Sequence, residues 1–84
     1  MKSKQFPSVE MSRRAADGLI VIEATITSRD GIQLTTDPCP HCGRQHFHGS
    51  GGNLKGFQHR LAHCLDGGPP GGYYIRWGGA EEMR

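Results

Sequence analysis

Large apolar side chains are scarce in this sequence: leucine, isoleucine, valine and phenylalanine together supply fifteen of the 84 residues. That is near the level at which chains fail to build a core, yet the net charge of +2 excludes self-repulsion as a cause of disorder. No aliphatic run exceeds the four residues 19–22, against about 20 for a membrane span. The early lysines precede no apolar stretch, so no secretory leader is expected. Cysteine occurs only three times, and an odd number excludes a complete disulfide framework within one chain. Together these shortages point to a cytoplasmic protein with no membrane partner, whose reduced thiols are available to a metal.

Glycine, by contrast, is abundant, at thirteen residues, with five prolines, and neither type adds core volume. A chain of this length with so thin a core needs a staple. The expected organisation is a flexible arm over residues 1–17, a single zinc-binding domain over 18–77 and a tail over 78–84. Residues 19–27 are rich in β-branched side chains and alternate, with Ile20, Ile22, Ala24 and Ile26 on one face. Turn chemistry at 28–31 and renewed alternation at 32–35 predict a hairpin. A short strand is expected near 44–48. Asn53 is placed to cap a helix over about 54–65, because Leu54, Phe57, Leu61 and Leu65 recur at helical spacing. Gly56 weakens that helix by about 1 kcal/mol relative to alanine. Residues 73–77 read as a closing strand. The fold class expected is therefore α+β: hairpin, knuckle, one short helix and last strand.

The knuckle is Cys39-Pro40-His41-Cys42, whose two intervening residues let both sulfurs face one ion. Ligands to complete a zinc site lie in His59-Arg60-Leu61-Ala62-His63-Cys64. Thiolate preference favours Cys39, Cys42, His59 and Cys64. His63 in place of Cys64 is the second choice, since His59 and His63 would share one helical face. His48 or His46 as fourth ligand comes third, because C-x2-C-G-x2-H also opens a zinc knuckle. Any such four-ligand set is closed and structural, and one Zn²⁺ would supply the staple.

The segments Cys39-Pro40-His41-Cys42-Gly43-Arg44-Gln45-His46-Phe47-His48-Gly49, His59-Arg60-Leu61-Ala62-His63-Cys64 and Gly72-Tyr73-Tyr74-Ile75 resemble small zinc-finger-like proteins of actinobacteria and their phages. The resemblance spans roughly residues 37–76, about half the chain. It implies a zinc module in a bacterial or phage setting; the hairpin at 19–35 lies outside it.

Two functions from different classes suit such a module. One is a protein-interaction adaptor, a phage or mobile-element factor acting on a host or cognate protein, with Tyr73, Tyr74 and Trp77 as aromatic anchors. The other is a nucleic-acid-binding zinc finger. Acidic side chains are absent from 38–65, and Arg44, Lys55 and Arg60 would contact phosphate there. A ββα nuclease using His46 and His48 with a second metal is disfavoured, because that segment lacks the carboxylates such chemistry usually needs. The expectation is no enzyme.

Overall fold

The computed structural model describes residues 9–82. Residues 1–8 of the arm expected over 1–17, and the last two residues of the tail, lie outside the described residues. After a 3-10 turn at Val9–Met11 come five strands: β1 (Val21–Ile26), β2 (Gln33–Thr36), β3 (Phe47–Gly49), β4 (Gly56–Arg60) and β5 (Tyr73–Trp77). They form one sheet in the order β3-β2-β1-β5-β4. Among the described residues no helix is long and apolar enough to cross a membrane.

The hairpin follows from the sequence. In β1, Ile22 and Ala24 turn into the core while Glu23 and Thr25 face out. β2 returns antiparallel with Ala24 opposite Thr36 and Ile26 opposite Leu34. The turn is held by its own polar groups. Ser28 Oγ lies 2.6 Å from Asp30 Oδ1 and accepts the Gln33 N–H at 2.9 Å. That hydroxyl, with the Ile32 N–H, lowers the pKa of Asp30 below the usual carboxylate range. Before β1, the chain bridges back on itself between Arg14 and Ile20, and the Arg13 carbonyl accepts the Val21 N–H at 2.8 Å.

The fold class departs from expectation at residues 54–65. No helix forms there; residues 56–60 are β4, paired antiparallel with β5 from Gly56 opposite Trp77 to Arg60 opposite Tyr73. Three features favour the strand. Gly56 lets the Trp77 ring lie against its backbone, where any β-carbon would collide with the indole. Phe57 stacks on Tyr74 across the pair, with ring centroids 4.9 Å apart. The ladder also satisfies the second edge of β5, which a local helix would leave unpaired. The apolar stripe is thus not a buried face: Phe57 is buried, but Leu54, Leu61 and Leu65 are exposed. Among the described residues the sheet dominates, and there is almost no helix beyond the turn at Val9–Met11.

β5 runs parallel to β1, with Ile22 opposite Ile75, and lies between β1 and β4. Its alternate residues Tyr73, Ile75 and Trp77 are all buried and join Ile20, Ile22, Ala24, Leu34, Cys39 and Cys64 in one core. The sheet curls enough that its two edges communicate. The Arg60 guanidinium on β4 donates to the Gly49 carbonyl on β3 at 3.1 Å and to Gln58 on its own strand. The Trp77 indole N–H reaches the Asn53 carbonyl at 3.0 Å, fixing the β3–β4 loop. Near the C-terminus, Glu82 pairs with Arg13, and the Ala80 carbonyl accepts Arg76 Nε–H at 2.5 Å.

Candidate metal centre

The curled sheet brings together two separate stretches of chain. The first is the knuckle between β2 and β3. Gly43 takes φ +78°, and its N–H bonds to the Cys39 carbonyl at 2.6 Å, while the Cys39 N–H bonds to the Arg44 carbonyl at 2.9 Å. A residue with a side chain is strained in that left-handed conformation, so glycine is what lets the turn close. The chain then enters β3 with the His46 N–H held by Thr36 Oγ1 at 2.9 Å. The second stretch follows β4. Its Cys64 is packed against Gly68, where a β-carbon would collide with that of Ala62 and crowd the Cys64 sulfur.

Cys39, Cys42, His46 and Cys64 each offer one donor atom, and these four atoms lie within 4.8 Å of one another. Cys39 Sγ is 3.8 Å from Cys64 Sγ; His46 Nε2 is 3.3 Å from Cys42 Sγ and 3.6 Å from Cys64 Sγ. A tetrahedral zinc with Zn–S of about 2.3 Å and Zn–N of about 2.0–2.1 Å requires S···S near ~3.8 Å and S···N near ~3.5 Å. These three donor pairs therefore already stand at the edge lengths of a zinc tetrahedron. All three cysteines are free thiols; Cys39 and Cys64 are buried and Cys42 half-buried.

The electrostatics match a cation. Burial, then hydrogen bonding to Cys42 and Cys39 and their charge, pushes the Cys64 thiol well above its ordinary pKa. Sulfurs this close cannot all ionise unless a positive ion sits among them. Burial likewise lowers the pKa of His46, with smaller effects from His63 and Arg44, which keeps the imidazole neutral and able to ligate. His41 and Asp66 clamp the two stretches. His41 Nε2 lies 3.1 and 3.2 Å from the Asp66 carboxylate oxygens, and Asp66 also accepts the Gly68 N–H at 2.9 Å. These two bonds, the Gly68 one first, lower the Asp66 pKa. His41, Cys64 and Asp66 also stand close enough to be grouped as metal donors, but the carboxylate is engaged in this clamp.

The fourth ligand is thus placed differently from the leading expectation. His59 sits exposed on β4, with Nε2 donating to the Gly71 carbonyl at 2.5 Å and its ring edge-on to Tyr74. Without a helix, the one-turn relation between His59 and His63 does not exist. His63 is exposed and stacks on His48 at 4.3 Å, leaving its neighbour Cys64 to turn inward. His48 is buried and hydrogen-bonds Tyr73 Oη at 2.8 Å; burial lowers its pKa to about 4, helped by His63, Arg60 and His46. His46, the third-ranked alternative, completes the cluster, and the C-x2-C-G-x2-H spacing was the signal for it.

The other expected site residues are dispersed. Tyr73 and Trp77 are fully buried core residues rather than exposed anchors, and Tyr74 is half-buried with its hydroxyl donating to Asp17 at 2.7 Å. That bond is the main reason the Asp17 pKa is lowered. Arg44 is exposed beside the knuckle, and Arg60 is committed to Gly49 and Gln58. Lys55 lines a cleft that also contains Glu81 and Glu82. Sequence reasoning did not bring together Phe47 and Leu65, both exposed, which with Arg44, Gln45, His46 and His63 line a cavity of about 230 Å³ next to the metal donors.

No protein-family model, no curated protein and no solved structure matches the chain.

Proposed function

We propose that this chain is a zinc-stapled β-module that acts as a protein-interaction adaptor, with one structural Zn²⁺ held by Cys39, Cys42, His46 and Cys64. The observation that carries the reading is the spacing of those four donors, which suits tetrahedral zinc. Four protein ligands leave no open position for a water or substrate, so the ion organises structure and the module binds rather than catalyses.

The surface that supports an adaptor role is the cavity beside the ion. Phe47 is 56 % exposed and Leu65 is 88 % exposed on its rim, with Arg44 as its only charged lining residue. Acidic side chains are absent from 38–65. The complementary partner is a host or cognate protein segment that inserts an apolar side chain and places a carboxylate against Arg44. A nucleic-acid partner finds less support, because Arg60 is engaged within the fold and Lys55 shares its cleft with carboxylates.

A Phe47→Ala/Leu65→Ser double variant should keep its zinc and lose no more than about 1 kcal/mol of stability, as exposed positions usually do. In pull-downs from lysate, the wild type should retain a protein after nuclease treatment and at moderate salt. The double variant should lose that protein, and Lys55→Glu should not. Captured material that is nuclease-sensitive and salt-labile, or a double variant that captures as the wild type does, would contradict the adaptor reading.

A further inference from the structure

We infer that the Tyr73 hydroxyl is the positioning group of the metal centre: buried at the start of β5, it fixes the two chain segments that present His46 and Cys64 to the ion. The inference rests on the zinc reading of the Cys39, Cys42, His46 and Cys64 cluster.

Tyr73 opens β5, the strand flanked by β1 and β4, and is completely buried. Its phenol lies among three imidazoles. The ring stacks loosely with His46, at 6.1 Å between centroids and 26° between planes, and meets His48 edge-on at 5.7 Å. His48 in turn stacks on His63 at 4.3 Å, and His63 meets His46 edge-on at 6.1 Å. The hydroxyl is tied to the segments that carry two of the ligands. It lies 2.8 Å from His48 Nε2, two residues beyond His46. The His48 ring it holds is stacked on that of His63, the residue before Cys64.

A phenol has one proton and two acceptor positions. The bond to His48 Nε2 is made in a dry site, where an unmet partner is costly, so the hydroxyl fixes the His48 ring and, through the stack, the place of the His63 ring beside it. Tyr73 touches no sulfur as a ligand. Its effect on the metal runs through His48 and His63, in the way that outer partners of a zinc site hold its ligands in place.

The test uses the full chain loaded with zinc or with cobalt(II), whose d–d bands report ligand geometry. Tyr73→Phe keeps the ring and removes only the hydroxyl. It should still bind one metal, but hand zinc to a chromophoric chelator at least about 10-fold faster than wild type, with shifted cobalt bands. Tyr74→Phe, which loses a hydroxyl bonded to Asp17 instead, should behave as wild type in both measurements. Ile75→Val on the same strand should lower the melting temperature yet leave the cobalt bands in place, separating positioning from general stability. The partner side gives an independent reading: His48→Gln, whose amide oxygen can accept the phenol proton, should release zinc more slowly than His48→Leu.

If Tyr73→Phe does not fold, the His48 pair decides the matter. Wild-type cobalt bands and a transfer rate within about 2-fold in Tyr73→Phe, or equal rates in the two His48 variants, would overturn the inference while leaving the zinc site standing. A wild-type chain that takes up neither metal would overturn the zinc reading itself, and the positioning role with it.

Discussion

Removing zinc from this protein should abolish its cooperative fold. Cys39 and Cys64 are members of the core as well as candidate ligands, packed with Ile20, Ile22, Leu34, Tyr73, Ile75 and Trp77. Without a cation, nothing bonds the three converging sulfurs together, and the exposed His41–Asp66 pair is left as the polar link between the knuckle and the Cys64 segment. Structural zinc contributes about 10–16 kcal/mol of apparent free energy in small domains, as much as or more than the ~5–15 kcal/mol total stability of an ordinary one. A strong chelator should therefore remove both the tertiary signal and the thermal transition, and added zinc should restore them. Acid should act in the same direction. Each bound zinc displaces a proton from each of three thiols, so below the range where thiols ionise affinity falls about 1,000-fold per pH unit. Zinc content followed by melting curves across a chelator and pH series checks both expectations. An unchanged transition in metal-free protein would contradict them.

Trp77→Ala is expected to be the most damaging single substitution outside the metal ligands. The indole is 1 % exposed, lies against the bare backbone of Gly56 and donates to the Asn53 carbonyl. Truncation opens a cavity between β4, β5 and the β3–β4 loop and leaves that carbonyl without its donor. Large aromatic truncations in cores cost about 3–5 kcal/mol. In a domain of this size that lowers the melting temperature of zinc-loaded protein by more than about 12 °C. Trp77→Phe should recover part of the loss, because the ring volume matters more than the single hydrogen bond. A Trp77→Ala protein that melts like wild type but fails to bind a partner would return this residue to the role of surface anchor.

Those two results bear on what the sequence could and could not disclose. The hairpin was legible because β1 and β2 alternate in a period of two and the 28–31 turn carries its own hydrogen-bonding groups. Thiols and imidazoles crowded between 39 and 64 made a metal site legible as well. Residues 54–65 misled because Leu54, Phe57, Leu61 and Leu65 imitate a helical stripe. What overrides the stripe is the long-range ladder with β5, which local spacing does not encode. The error propagated, since a helix gave His59 and His63 a shared face that they do not have. The alternation in His46-Phe47-His48 held the better clue: both histidines face inward, one to the sulfurs and one to Tyr73. The same period applied to residues 73–77 places Tyr73, Ile75 and Trp77 on one face, which is the core face and not a docking surface.

The central claim is the ligand set, and X-ray absorption at the zinc edge reads it directly. The purified protein should show one zinc per chain with three sulfurs at about 2.3 Å and one imidazole nitrogen at about 2.0–2.1 Å. His59→Ala should leave that signature intact, whereas His46→Ala should remove the imidazole scattering. Two sulfurs with two imidazoles, or a signature lost with His59 and kept without His46, would contradict the account.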